Sequence, residues 1–152
     1  MLNGPGRLVE VGECAKALGA ERALVVTDPP LVEAGHAPAA LRSLQQAGLT
    51  AEMYTGQHAN PDSSHAEALR AAAAGFRPDL LVGLGGGSAM DMAKAANLLL
   101  THGGRMRDYQ GYQRAAGALL PLILIPATTG TGSEAQSYCV IADAETRAKM
   151  AC

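Results

Sequence analysis

Several things are scarce in this sequence, and each scarcity narrows its function. Acidic and basic side chains nearly cancel, with 12 Lys and Arg against 14 Asp and Glu, a formal net charge of -2 and an isoelectric point near 6.0. No basic surplus is available to neutralise a phosphate backbone, so a nucleic-acid partner is not expected. The three cysteines, Cys14, Cys139 and Cys152, are widely spaced and odd in number; such usage predicts reduced thiols in a cytoplasmic protein and argues against a disulfide frame. No run approaches the ~18 apolar residues of a membrane span, and no basic segment with an apolar stretch behind it opens the chain, so no membrane partner is expected. His36, His58, His65 and His102 show neither H-x-x-x-H nor H-E-x-x-H spacing and read as loop and helix-end residues, so no metal site is expected from this chain alone. Repeats, low-complexity tracts and interdomain linkers are missing as well. A chain of 152 residues that is 48% hydrophobic has material for one core, which predicts a single domain over residues 1–152.

What is present is an alternation of apolar runs and amphipathic stretches. Arg7 to Leu18 places Leu8, Val11, Cys14 or Ala15, and Leu18 on one helical face, and Gly19 follows as a terminating glycine. Ala23 to Thr27 reads as a strand ended by Asp28-Pro29-Pro30. Pro38 fits the first position of a helix running to Ala47, Ala51 to Tyr54 a short strand, and Ser64-His-Ala-Glu67 a capping box for a helix ending near Gly75. Asp79 to Leu84 and Leu119 to Ile125 have the length and composition of buried parallel strands. Ser137 to Ala142 and Arg147 to Cys152, around a polar tip at Asp143, predict a β-hairpin. The order predicts an α/β fold, a Rossmann-like doubly wound parallel sheet with a C-terminal β-hairpin.

The most informative junction lies between the strand at Leu80 and the helix after it. Three consecutive glycines, Gly85, Gly86 and Gly87, let a ligand approach bare backbone. Ser88 then occupies a helix-cap position with Asp91 three residues on, and the helix continues through Met92, Ala93, Ala96, Leu99 and Leu100. Free N–H groups and the positive end of the helix dipole would face a pyrophosphate there. The spacing is neither G-x-G-x-x-G nor G-x-x-x-x-G-K-[ST]. A second loop of similar character, Pro126-Ala-Thr-Thr-Gly-Thr-Gly-Ser-Glu134, follows the strand ending at Ile125 and offers hydroxyl donors at a strand's C-terminal end. Lys94 reads as a surface charge, and Met90, Met92 and Met106 as core fillers.

Together, G-G-G-S-x-x-D-x-A-K from Gly85 to Lys94, P-A-T-T-G-T-G-S-E from Pro126 to Glu134, and Thr27-Asp28 at the first strand's end resemble the iron-containing (group III) alcohol dehydrogenase family. Gly4-Pro-Gly-Arg-Leu, Asn60-Pro61, Asp108-Tyr-Gln-Gly111 and the hairpin near Asp143 extend the likeness along nearly the whole chain. Ala127 departs from it, standing where the pattern often has threonine.

The resemblance implies a lactaldehyde reductase-like oxidoreductase that moves a hydride between a small alcohol or aldehyde and NAD, with NADP as the alternative, and that works as a homodimer. It implies a helical second domain whose aspartate and histidines hold iron or zinc. That domain is absent here, because the sequence reaches Met150-Ala-Cys152 before any such residues, so the chain is expected to be truncated and inactive alone. Cofactor contacts are implied at Asp28, for the adenine ribose; at Asn60; at Gly86, Gly87, Ser88 and Asp91 around the pyrophosphate, Asp91 as a cap and loop organiser; at Thr128, Thr129 and Thr131 on the nicotinamide side; and at Lys149 in the hairpin. A glycerol dehydrogenase, maleylacetate reductase or dehydroquinate synthase of the same superfamily fits these residues too, as does a stand-alone nucleotide-binding module.

Overall fold

A computed structural model describes residues 2–56 and 60–152. Its centre is a four-stranded, fully parallel sheet in the order β2-β1-β3-β4, made of β1 (Arg22–Val26), β2 (Thr50–Tyr54), β3 (Leu80–Gly85) and β4 (Leu122–Pro126). Helix α1 (Val11–Ala17) precedes β1, helices α2 (Pro29–Glu33), α3 (His36–Gln46), α4 (Ser63–Phe76) and α5 (Gly87–His102) connect the strands, and an antiparallel hairpin of β5 (Val140–Ala142) and β6 (Lys149–Ala151) follows.

Alternation along the strands decides what packs where. Ala23 and Val25 of β1, with Leu80, Val82 and Leu84 of β3, face α1 and α3 through Val11, Ala15, Ala37, Ala40 and Leu44. Leu24, Val26 and Leu81 face the other way, onto Leu69 and Phe76 of α4 and Met92, Ala96 and Leu99 of α5. Both faces are covered, as the near-continuous apolar runs predict. Gly83 sets how closely α5 sits on the sheet: a Cβ there would come within 3.1 Å of Ala93 Cβ and 3.2 Å of Met90 Cα.

Element boundaries depart from the sequence reading in instructive ways. The first helix opens as a 3-10 turn over Arg7–Glu10 before α1, and Leu18, expected on the apolar face, is 51% exposed. Asp28-Pro29-Pro30 starts a helix instead of merely stopping a strand, because prolines are tolerated in a first turn whose N–H groups have no helical partner. For the same reason Pro38 sits as the third residue of α3, which begins at His36 behind Gly35 at φ 82°. The capping box of α4 is formed by Asp62 and His65, two residues earlier than Ser64 and Glu67. The last core strand begins at Leu122, three residues later than expected. His58 lies outside the described residues.

Candidate functional site

The chain leaves β1 for β2 on one side and then crosses to β3 on the other, so β1 and β3 flank the point where the strand order reverses. Open parallel sheets bind ligands in the crevice beyond the strands' C-terminal ends at such a point. Asp28 follows β1 there, Gly85 ends β3 with Gly86 and Gly87 after it, and the loop from Ala127 to Gly132 follows β4.

These three segments touch. Ala127 N donates to the Gly85 carbonyl at 2.8 Å. A Cβ built on Gly85 would lie 3.5 Å from Asp28 Oδ2, one on Gly86 would lie 3.4 Å from Thr128 Oγ1, and one on Gly87 would lie 3.2 Å from Thr131 Cβ. Gly85 also holds φ 154°, a conformation that side chains rarely adopt. Thr129 is exposed on the same loop.

Ser88 and Asp91 depart from the expected cap. Gly86 is the N-cap of α5, Ser88 is its second residue, and no side chain caps the helix. Its first N–H groups therefore remain open toward the crevice. Asp91 turns inward instead. Its Oδ1 accepts from Ser133 Oγ at 2.5 Å and its Oδ2 from Val140 N at 3.1 Å, which ties the threonine loop and β5 to α5. The physical reason is spacing: Asp91 lies on the helix face covered by residues 133–140, far along the chain from the cap.

Lys94 departs further, since it is buried and not a surface charge. Its Nζ donates to the Ser133 carbonyl at 2.6 Å and the Tyr138 carbonyl at 2.9 Å, and lies 3.6 Å from Asp91 Oδ1. Lys94 and Ser133, neither assigned a role from sequence, thus fix the threonine loop from below. The available signal was the i,i+3 spacing of Asp91 and Lys94, which puts opposite charges on one helix face.

Asn60 and Lys149 form a separate group. Asn60 is exposed, with φ 51°, just before Pro61, whose carbonyl accepts from Ala142 N at 3.1 Å. Lys149 is exposed on β6 opposite Ala142. This group connects to the crevice through the hairpin and Val140. Among the described residues no three His, Cys, Asp or Glu side chains gather into a metal-binding cluster.

The family sequence model described as iron-containing alcohol dehydrogenase matches residues 1–152. The chain belongs to this family. Among its relatives, the NAD-dependent methanol dehydrogenase of Bacillus methanolicus is 35% identical over 147 residues, covering 97% of this chain and 39% of that enzyme. The crystal structure of a 1,3-propanediol oxidoreductase superposes with TM-score 0.93 at 32% identity, over 97% of this chain and 39% of that one. A sulfoacetaldehyde reductase from Bifidobacterium kashiwanohense, solved in complex with NAD+, superposes with TM-score 0.82 at 29% identity, covering 97% and 39% of the two chains. The chain thus spans about 39% of the length of these relatives and matches an oxidoreductase family in sequence and fold.

Proposed function

We propose that residues 1–152 are the dinucleotide-binding domain of a metal-dependent, NAD(P)-linked alcohol dehydrogenase or aldehyde reductase. The observation that carries the reading is the mutual contact of Asp28, the glycine turn and the threonine loop at the switch point. Gly86 and Gly87 fit a pyrophosphate, because a side chain on either would fill the space against Thr128 and Thr131 that the diphosphate needs. The uncapped start of α5 supplies backbone N–H donors and the positive end of a helix dipole to the same place. Thr128, Thr129 and Thr131 would bind beyond the phosphates, toward the nicotinamide.

Asp28 would select the ribose. Its Oδ1 accepts from Leu31 N at 3.3 Å as the cap of α2, which leaves Oδ2 toward Gly85 and the crevice. A carboxylate there accepts ribose hydroxyls and repels a 2′-phosphate, favouring NAD over NADP. A bound nicotinamide would supply hydride acceptance from an alcohol carbon; the chain's own part is to orient that ring, an alignment worth up to about 7–11 kcal/mol in favourable cases. We expect these 152 residues by themselves to turn over no alcohol.

Calorimetric titration with NAD, NADP and ADP-ribose tests the reading, which requires heat from NAD and ADP-ribose and fails if none of the three binds. Asp28→Asn separates charge from cap, since asparagine caps a helix as well as aspartate does. The NAD to NADP affinity ratio should fall about tenfold, the equivalent of about 1.4 kcal/mol of lost repulsion.

A further inference from the structure

Away from the crevice, the hairpin brings together two of the three cysteines. Cys139 N donates to the Cys152 carbonyl at 2.8 Å and Cys152 N to the Cys139 carbonyl at 2.9 Å. The two residues are therefore directly opposite, one step beyond the Val140 and Ala151 pair. Such a doubly bonded antiparallel pair separates its Cα atoms by about 5.5 Å, near the middle of the range a disulfide spans. Both side chains share the inward face of the hairpin with Ile141 and Met150. Cys139 is fully buried and Cys152 partly open, with its Sγ 3.5 Å from the Met106 carbonyl.

We propose that Cys139 and Cys152 form a dithiol that a hydroperoxide closes into an intramolecular disulfide and that a thiol reductant reopens. The accessible Cys152 sulfur attacks the peroxide oxygen; the O–O bond breaks, an S–O bond forms, and the displaced oxygen leaves as water. The Cys139 sulfur then displaces the remaining oxygen as a second water, so one hydrogen peroxide oxidises two thiols by two electrons in all. The division of labour suits the surroundings: a hydrogen bond from the Cys139 thiol holds Cys152 below the ordinary thiol range, while that bond and burial push Cys139 far above it. The attacking sulfur is thus the more accessible of the two and the one with more thiolate character. Closure would pin the segment whose Tyr138 carbonyl and Val140 N–H hold Lys94 and Asp91, and so reach the threonine loop through Ser133.

The test is brief treatment of the protein with hydrogen peroxide, followed by thiol titration in denaturant and intact mass measurement. The expected result is a drop from three titratable thiols to one, a mass loss of two hydrogens, a crosslinked peptide joining Cys139 to Cys152, and full reversal by dithiothreitol. Cys14→Ser should lose the same two hydrogens, its two titratable thiols falling to none, and Cys139→Ser should instead gain oxygen at Cys152. Retention of all three thiols, a reducible dimer, oxygen addition without hydrogen loss in the parent, or the same two-hydrogen loss in Cys139→Ser would overturn the proposal.

Discussion

Helices α3 and α5 cover opposite faces of the same sheet, yet only one follows the ordinary rule for a surface helix. In α3, burial is confined to Ala37, Ala40, Ser43 and Leu44, a single stripe with Arg42, Gln45 and Gln46 exposed. In α5 every residue from Ala89 to Leu99 is buried, Asp91, Lys94 and Asn97 among them. The difference lies in what each helix meets. The α3 helix packs on β1, β2 and α1, whereas α5 lies between β3 and α4 and is also covered by the turn at Ser133 and by β5. A helix enclosed on all sides either is apolar throughout or has its polar groups paired internally, and α5 takes the second course.

The largest predicted effect comes from breaking that internal pairing. Lys94→Ala leaves the Ser133 and Tyr138 carbonyls without their donor and Asp91 without its counter-charge, at a cost of about 3–5 kcal/mol. Denaturant unfolding followed by circular dichroism measures the loss. Asp91→Asn alone and with Lys94→Ala completes a double-mutant cycle, in which the double variant should lose less than the sum of the singles. Additive losses would mean that the two side chains do not act as a pair. The same variants should weaken NAD binding, since the loop they hold carries Thr128 and Thr131.

This pairing also marks where the sequence stops being legible. The strands at Leu80 and Ile123, the glycine turn and the hairpin are local patterns, and the structure places them within a few residues of their expected bounds. The convergence of Asp28, Gly86 and Thr128 followed from the rule about strand ends in parallel sheets, not from any one residue. Lys94 is illegible in the sequence because its partner Ser133 is 39 residues away and meets α5 only through tertiary packing. The capping role given to Ser88 failed for a related reason: Gly86 already takes the cap position, and the carboxylate three residues beyond Ser88 is engaged by the distant loop. Short-range chemistry shows in a single sequence, whereas satisfaction of a buried charge depends on tertiary partners.

A middle-sized effect is expected on the other face, at the contact that lets α3 sit close to α1. Gly12 N donates to Ser43 Oγ at 3.0 Å, and a Cβ on Gly12 would come within 2.2 Å of the Ser43 carbonyl oxygen. Backbone has to move, so Gly12→Ala should cost about 1–3 kcal/mol. Gly75 in α4 provides the contrast, because nothing stands within 4 Å of where its Cβ would be. Gly75→Ala should raise stability by roughly 0.5–1 kcal/mol through helix propensity alone. Equal changes at the two positions would refute the argument from close approach.

The smallest loss of stability belongs to the outer anchor of the hairpin, and it depends on pH. Asp62 caps α4 through the Ser64 and His65 N–H groups, pairs in parallel with Ala142, and accepts from Arg147 at 3.3 Å. The Arg147 side chain is 77% exposed, so that ion pair contributes little and the cap dominates. Asp62→Ala should cost about 1 kcal/mol at neutral pH, far less than the buried anchor at Lys94. The Ser64 hydroxyl, and after it the charge on His65, hold the Asp62 carboxyl below its ordinary value of 3.8. A group whose folded value is depressed stabilises above its unfolded value, and that contribution fades as pH falls through the folded one. The gap in stability between parent and Asp62→Ala should therefore be flat from neutral pH down to about 5 and then shrink in stronger acid, close to the unfolded aspartate value of about 3.9 and below it. A gap that persists undiminished at the acid end would assign the effect to the shape of the cap, not to its charge.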